Sequence, residues 1–248
     1  MPPNLQVFIL GCARSGTSIT YYAMREVFGL PGTGESHALP IFQRILRDFS
    51  AYQRNFADAD PHVLAASLPP TEFRRHIIEY IRQFYAGKYP EGSWVDKTPG
   101  AEALVGAPLI RDTFPQAKLI CTKRNGVEVV RSFRAKFSSD FASACQAWAL
   151  SMGALLKVRE TNSNILEVDQ FDMTNSPGEV AERVTHYLDT TDKAQALTEF
   201  FRDKRTDQLS SHDWRRRLTL ADTDWSADER NLFSSTCGEL MYKLGYSF

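Results

Sequence analysis

The run Gly11-Cys12-Ala13-Arg14-Ser15-Gly16-Thr17-Ser18 sets an arginine between two glycines and follows them with two hydroxyl residues. Such a loop can turn successive backbone N–H groups, and the first turn of a following helix, toward one anion. Thr17 and Ser18 would add hydroxyl donors to it. The run matches G-x-x-x-x-G-K-[ST] at both glycines and at the final hydroxyl residue, but Thr17 stands where that motif has lysine. The missing lysine is the one that reaches the β- and γ-phosphates of a nucleoside triphosphate, so its loss argues against ATP or GTP hydrolysis. The cation lies inside the loop instead, as Arg14. A Walker-B partner is also missing, since Trp94-Val95-Asp96 is too short an apolar run before its aspartate.

A cradle of this kind needs a strand before it and a helix after it, and the pattern supplies both. Residues 6–10 are apolar on both faces, as a central parallel strand requires. Ile19, Tyr22, Ala23 and Val27 then form the apolar side of a helix over 15–28, ended by Gly29 and Pro31. Further β-like runs at 93–96, 118–122 and 164–168 alternate with helical patterns over 71–87, 101–114, 127–137 and 140–160. Thr71 is the expected cap of the first of these helices. Ser176…Glu179, with Pro177 between them, and Ser226…Glu229 read as capping boxes. The alternation predicts an α/β chain in three layers, with a mainly parallel central sheet and helices on both faces. Residues 30–70 read as irregular apart from a short helix over 41–49. With no repeat or linker in view, 1–248 is expected to be a single domain, and 38–92 a helical and loop insertion on the substrate side.

The chain has 248 residues, 43% hydrophobic and 24% charged, an ordinary globular composition that excludes disordered, collagen-like and coiled-coil classes. Its 29 Lys and Arg against 30 Asp and Glu leave a net charge of −1, which gives no case for a nucleic-acid partner or an anionic membrane. Any anion must therefore be held by a local site. No apolar run approaches the roughly 20 residues of a transmembrane helix. The N-terminus enters a strand-like run almost at once, so no signal peptide is expected. Cys12, Cys121, Cys145 and Cys237 lie far apart with no C-x-x-C pair, which predicts buried thiols and a cytoplasmic protein.

Arg14-Ser15-Gly16-Thr17-Ser18 after an apolar strand resembles the 5′-phosphosulfate loop of sulfotransferases that use 3′-phosphoadenosine 5′-phosphosulfate (PAPS). The likeness is strongest to bacterial and carbohydrate-type members. It implies the P-loop NTPase-like sulfotransferase fold, with Arg14, Ser15, Gly16, Thr17 and Ser18 around the 5′ end of the donor. Other blocks follow in the family's order. Residues 119–133 resemble its 3′-phosphate site, where a strand ends in arginine and a serine follows on the next helix; here these are Arg124 and Ser132. The chemistry agrees, since Arg124 can fork onto phosphate oxygens and Ser132, about two turns into a helix, can donate from the same side. Gly126 stands where the family has proline, so a looser turn is expected.

Trp94-Val95-Asp96-Lys97-Thr98-Pro99 resembles the Lys-Thr-Pro segment, which implies that Lys97 carries charge toward the sulfuryl group or its bridging oxygen. Residues 165–177 resemble the strand, acidic residue and helix that come next, and no chemistry is assigned to Asp169. Residues 211–218 resemble the segment that closes over the nucleotide, with Trp214 on adenine and Arg215 and Arg216 completing the 3′-phosphate site. The blocks run from residue 7 to 246 and leave 38–92 essentially unmatched.

The implied reaction is an in-line transfer of a sulfuryl group from PAPS to a hydroxyl or amine, releasing PAP, without a metal. A base is then needed near the loop. Glu35 is the first candidate, in the segment where carboxylate-using family members carry theirs. His37 is the second, with an ordinary pKa of about 6.5 that suits proton abstraction. Were this segment a strand, its period of two would place both on one face. Two other readings stay open: a P-loop kinase of a small metabolite using Mg-ATP, and a non-catalytic nucleotide-binding module of the same fold. The acceptor (small molecule, carbohydrate, lipid, polyketide or peptidyl) and the oligomeric state are not specified by the sequence.

Overall fold

The computed structural model describes residues 4–55, 67–162, 164–204 and 215–248. Among them, β1 (Gln6–Gly11), β2 (Gly32–Thr33), β3 (Trp94–Lys97), β4 (Lys118–Lys123) and β5 (Leu166–Asp169) form one sheet in the order β2-β3-β1-β4-β5. Every pairing is parallel, with Phe8 beside Asp96 on one flank and Leu119 on the other. Parallel strands need crossovers, and helices supply them on both faces.

Side chains alternate across the sheet and divide the core in two. Phe8, Leu10, Trp94, Leu119 and Cys121 face one cluster. It is closed by α2 (Ala38–Asn55), α3 (Pro70–Lys88), α4 (Ala101–Val105), α5 (Ala107–Thr113), α6 (Gly126–Phe137), α7 (Phe141–Thr161) and α11 (Ala227–Lys243). Val7, Ile9, Val95, Ile120 and Val168 face the other, covered by α1 (Thr17–Glu26), α8 (Gln170–Asn175), α9 (Pro177–Tyr187) and α10 (Ala194–Asp203). Burial on both faces explains why β1 reads as an unbroken apolar run. The three-layer α/β architecture expected from the alternation is the one observed.

Several local expectations are corrected. The helix expected over 101–114 is two, α4 and α5, parted at Gly106; Pro108 has no N–H to bond back one turn. Conversely, the helix expected over 41–49 runs from Ala38 to Asn55, with Pro40 in its first turn, where no intrahelical N–H is needed. Pro69, not Thr71, occupies the cap of α3. Ser176 makes no side-chain cap to α9, although Pro177 opens that helix as expected. The second box forms fully: Ser226 Oγ accepts from the Glu229 N–H at 3.2 Å, and the Ser226 N–H donates to Glu229 Oε2 at 2.9 Å. All four cysteines are buried and free. Among the described residues no helix is long and apolar enough to cross a membrane.

Candidate active site

β1 ends at Gly11 with φ 148°, and a Cβ there would overlap the carbonyl and hydroxyl oxygens of Thr122 on β4. The loop can only leave the sheet this closely without a side chain. Ser15 is held from below. Its hydroxyl donates to the Cys12 carbonyl at 2.6 Å and lies 2.9 Å from Thr122 Oγ1, and its N–H donates to the Cys12 carbonyl at 3.2 Å. Ser15 is wholly buried, and its side chain ties the loop to β4.

Arg14 and Gly16, at φ 69° and 95°, turn the chain into α1. The first backbone bond of that helix runs from the Thr20 N–H to the Gly16 carbonyl at 3.1 Å. The N–H groups of Thr17, Ser18 and Ile19 therefore have no acceptor within α1 and form the positive end of its dipole. Thr17 is buried and Ser18 exposed.

At the neighbouring strand end, Arg14 Nε donates to Ser132 Oγ at 3.0 Å, and Arg124 Nη1 reaches the Arg14 carbonyl at 3.4 Å. The loop cation, the strand-end arginine and the helix serine thus meet. Among the described residues Arg14 pairs with no carboxylate. Partial burial, and then the charge of Arg124, lower its pKa from the ordinary arginine value. Two guanidiniums brought this close are chemically suited to hold an anion. Asn125 caps α6, its side chain accepting from the Val127 N–H at 2.8 Å. The turn is close-packed, correcting the looser one expected: a Cβ on Gly126 would come within 3.0 Å of Met241 Sδ and 3.1 Å of the Trp148 ring.

β2 stops at Thr33, so Glu35 and His37 are not brought together by strand alternation. They meet across a turn in which His37 has φ 50°, with His37 Nε2 3.3 Å from Glu35 Oε2. Lys97, at the end of β3, donates to Glu35 Oε1 at 2.9 Å and to Ser18 Oγ at 3.4 Å. The Lys97 hydrogen bond is the main cause holding the Glu35 carboxyl below its usual pKa, against a smaller opposing effect of burial. Beneath them the buried Asp96 accepts from Tyr85 OH at 2.7 Å and Thr98 Oγ1 at 3.1 Å, and Thr98 Oγ1 lies 3.3 Å from Ser36 Oγ. Asp96 thus braces α3 and the Glu35 turn around Lys97.

Trp214 lies outside the described residues. Arg215 is exposed, and Arg216 grips Asp222 with both terminal nitrogens at 2.8 and 2.7 Å. Arg217 is the one that turns inward. It donates to Asp169 Oδ1 at 3.1 Å and stacks between the rings of Phe171 and Tyr246, 4.4 and 5.0 Å from their centroids. Tyr246 OH donates to Asp169 Oδ2 at 2.7 Å, fastening the chain's end to β5. The sequence places Arg217 and Tyr246 in matching segments but gives neither its partner, and Glu128, which accepts from Arg124 Nε at 2.8 Å, was missed. For Glu128 there was a signal: it follows Arg124 by four residues with opposite charge. Among the described residues no cluster of His, Cys, Asp and Glu suits a metal ion.

The model of the Sulfotransferase family matches residues 6–194. The chain belongs to the sulfotransferase family. The sulfotransferase domain of the Synechococcus PCC 7002 olefin synthase superposes with a TM-score of 0.56 at 20% identity, covering 94% of each chain. Sulfotransferase STF9 from Mycobacterium avium gives 0.55 at 15% identity, covering 100% of this chain and 79% of that one. Mouse sulfotransferase SULT7A1, solved as a complex with PAP, gives 0.52 at 10% identity over 97% of this chain and 86% of that one. At these identities the likeness is one of fold, the P-loop-like sulfotransferase fold. No curated protein matches this sulfotransferase in sequence.

Proposed function

We propose that this sulfotransferase moves a sulfuryl group from PAPS to a hydroxyl or amine of a small-molecule, carbohydrate, lipid or peptidyl acceptor and releases PAP. The observation that carries this reading is Lys97, whose ammonium joins Ser18 on the phosphate-loop helix to the carboxylate of Glu35. A cation between an anion cradle and a candidate base suits transfer from a phosphate oxygen to a hydroxyl or amine. In this reading residues 1–248 form one domain acting in the cytoplasm, which the four free thiols support. The helices of 38–92 then shape the acceptor side.

The donor's chemistry fits the residues present. PAPS supplies an activated sulfuryl group on its 5′-phosphate and a second phosphate at its 3′ position. Arg14, with the N–H groups of Gly16, Thr17 and Ser18, holds the 5′ end; Arg124 and Ser132 take the 3′-phosphate. Trp214 packs on adenine and Arg215 adds charge beside it, while Arg216 contributes through the segment it shares with Asp222. Glu35 takes the acceptor's proton as the acceptor atom bonds to sulfur, and Lys97 gives its charge to the oxygen left behind. As negative charge grows on that oxygen it competes for the Lys97 ammonium, so the hydrogen bond that depresses the Glu35 pKa weakens and Glu35 becomes the stronger base. His37 steadies the other carboxylate oxygen and is the second candidate base.

The test is incubation with PAPS and a panel of alcohols, phenols, amines and sugars in the presence of EDTA, with products read by mass spectrometry. A sulfated product formed despite EDTA, and formed far more slowly but still measurably by Lys97→Ala, supports the proposal. A phosphorylated product that requires Mg-ATP would replace it with the kinase reading.

A further inference from the structure

Arg124 is held at both of its ends by groups that the reaction itself does not use. Its carbonyl accepts from the Trp148 indole N–H at 3.0 Å, and its Nε donates to Glu128 Oε2 at 2.8 Å. The other carboxylate oxygen of Glu128 accepts from the Leu218 N–H at 3.1 Å, while Asn125 Nδ2 donates to the Leu218 carbonyl at 3.1 Å. The Glu128 side chain is 3% exposed and that of Arg124 11%. Both carboxylate oxygens are therefore committed, one to the guanidinium and one to a backbone that Asn125 fixes from the other side.

A hydrogen bond to Nε leaves a guanidinium's terminal nitrogens as its free edge and stops it turning about its stem. A buried carboxylate is costly to desolvate. It is retained only where such partners surround it. Here it stands in the first turn of α6, where the helix dipole also favours it, and it balances the Arg124 charge beside the like-charged Arg14. Two effects on phosphate binding oppose each other: the negative charge of Glu128 repels the ligand, and its grip on Nε orients the arginine toward it. The geometry makes orientation the larger, because the carboxylate binds the guanidinium's side edge, at Nε, while the terminal edge, turned toward the loop after β1, carries only the long 3.4 Å contact of Nη1 with the Arg14 carbonyl, which a phosphate can replace.

We infer that Glu128 is a positioning residue for 3′-phosphate recognition, which makes nucleotide affinity depend on that phosphate by fixing Arg124. The inference rests on the proposed role of Arg124 as reader of the 3′-phosphate. It is tested by calorimetric titration of PAP and of 5′-AMP, which lacks the 3′-phosphate, into wild type, Glu128→Gln, Arg124→Ala and the double variant, each checked for folding by circular dichroism. Wild type is expected to prefer PAP by about a hundredfold. Glu128→Gln is expected to lose about tenfold of that in PAP affinity, with 5′-AMP affinity changed by less than about twofold. In the Arg124→Ala background the same change is expected to have almost no effect.

Equal weakening toward both nucleotides in Glu128→Gln would mean a merely structural role and overturn the inference; so would tighter PAP binding, which would make repulsion dominant. If Glu128→Gln does not fold, Glu128→Asp decides: it keeps the charge but cannot reach, so a retained PAP preference overturns the inference and a lost one supports it. A wild type that binds PAP and 5′-AMP alike overturns the reading of Arg124 itself, and this is seen before any variant is made.

Discussion

Lys97 Nζ stands 2.9 Å from Glu35 Oε1, and that ion pair joins the carboxyl end of β3 to the turn leaving β2. The lysine side chain is 6% exposed and the carboxylate 51%, so the cation is fixed in the protein and the carboxylate is the half that can meet an acceptor. The pair lies where ligands bind in open parallel sheets, beyond the carboxyl ends of the strands. It shares that edge with the loop after β1 and with Arg124 after β4.

Because the Lys97 hydrogen bond lowers the pKa of Glu35, the carboxylate stays ionised below the usual carboxylate range. The acid limb of kcat/KM is therefore expected at unusually low pH in wild type, with activity falling as pH drops through it. In Lys97→Met the main cause of the depression is gone, and the limb is expected to move to higher pH. Glu35→Gln should lower kcat by about 100- to 10,000-fold, the range for loss of a general base, with PAP affinity unchanged. A limb that stays in place in Lys97→Met would contradict this assignment.

Gly11→Ala places a methyl group against the Thr122 oxygens at φ 148°, where a side chain is also strained. The expected loss is about 1–3 kcal/mol, measured by urea unfolding, together with weaker nucleotide binding because β4 and the loop must separate. Unchanged stability would mean that the loop does not need this close approach.

Tyr85→Phe removes one of two hydroxyls that satisfy the buried Asp96. The expected cost is about 1–3 kcal/mol at unchanged m-value. The Glu35 turn, linked through Thr98 and Ser36, should also loosen, lowering kcat more than PAP affinity. A variant as stable and active as wild type would show that Asp96 braces nothing.

The loop after β1 was legible because its signals are local: an apolar run, two glycines, an arginine and an amphipathic helix. The sheet was legible for the same reason, through strand and helix periods. What escaped was decided by distant partners. Of three consecutive arginines, Arg217 turns inward because Asp169, Phe171 and Tyr246 receive it, none of them a sequence neighbour. Gly126 is close-packed because Trp148 and Met241 lie against it. The Ser15 hydroxyl is set by Thr122 on β4, 107 residues away in the chain. Glu35 and His37 do meet, but across a turn, since only Gly32 and Thr33 find a partner strand.

The central claim, a metal-independent site for a nucleotide carrying a 3′-phosphate, is tested most directly by thermal unfolding of wild type and Arg124→Ala. PAP, PAPS, ADP and ATP would each be added with and without Mg²⁺. PAP at a hundred times its dissociation constant is expected to stabilise wild type by about 2.7 kcal/mol without metal, and Arg124→Ala to lose most of that shift. Stabilisation by Mg-ATP alone would contradict the account.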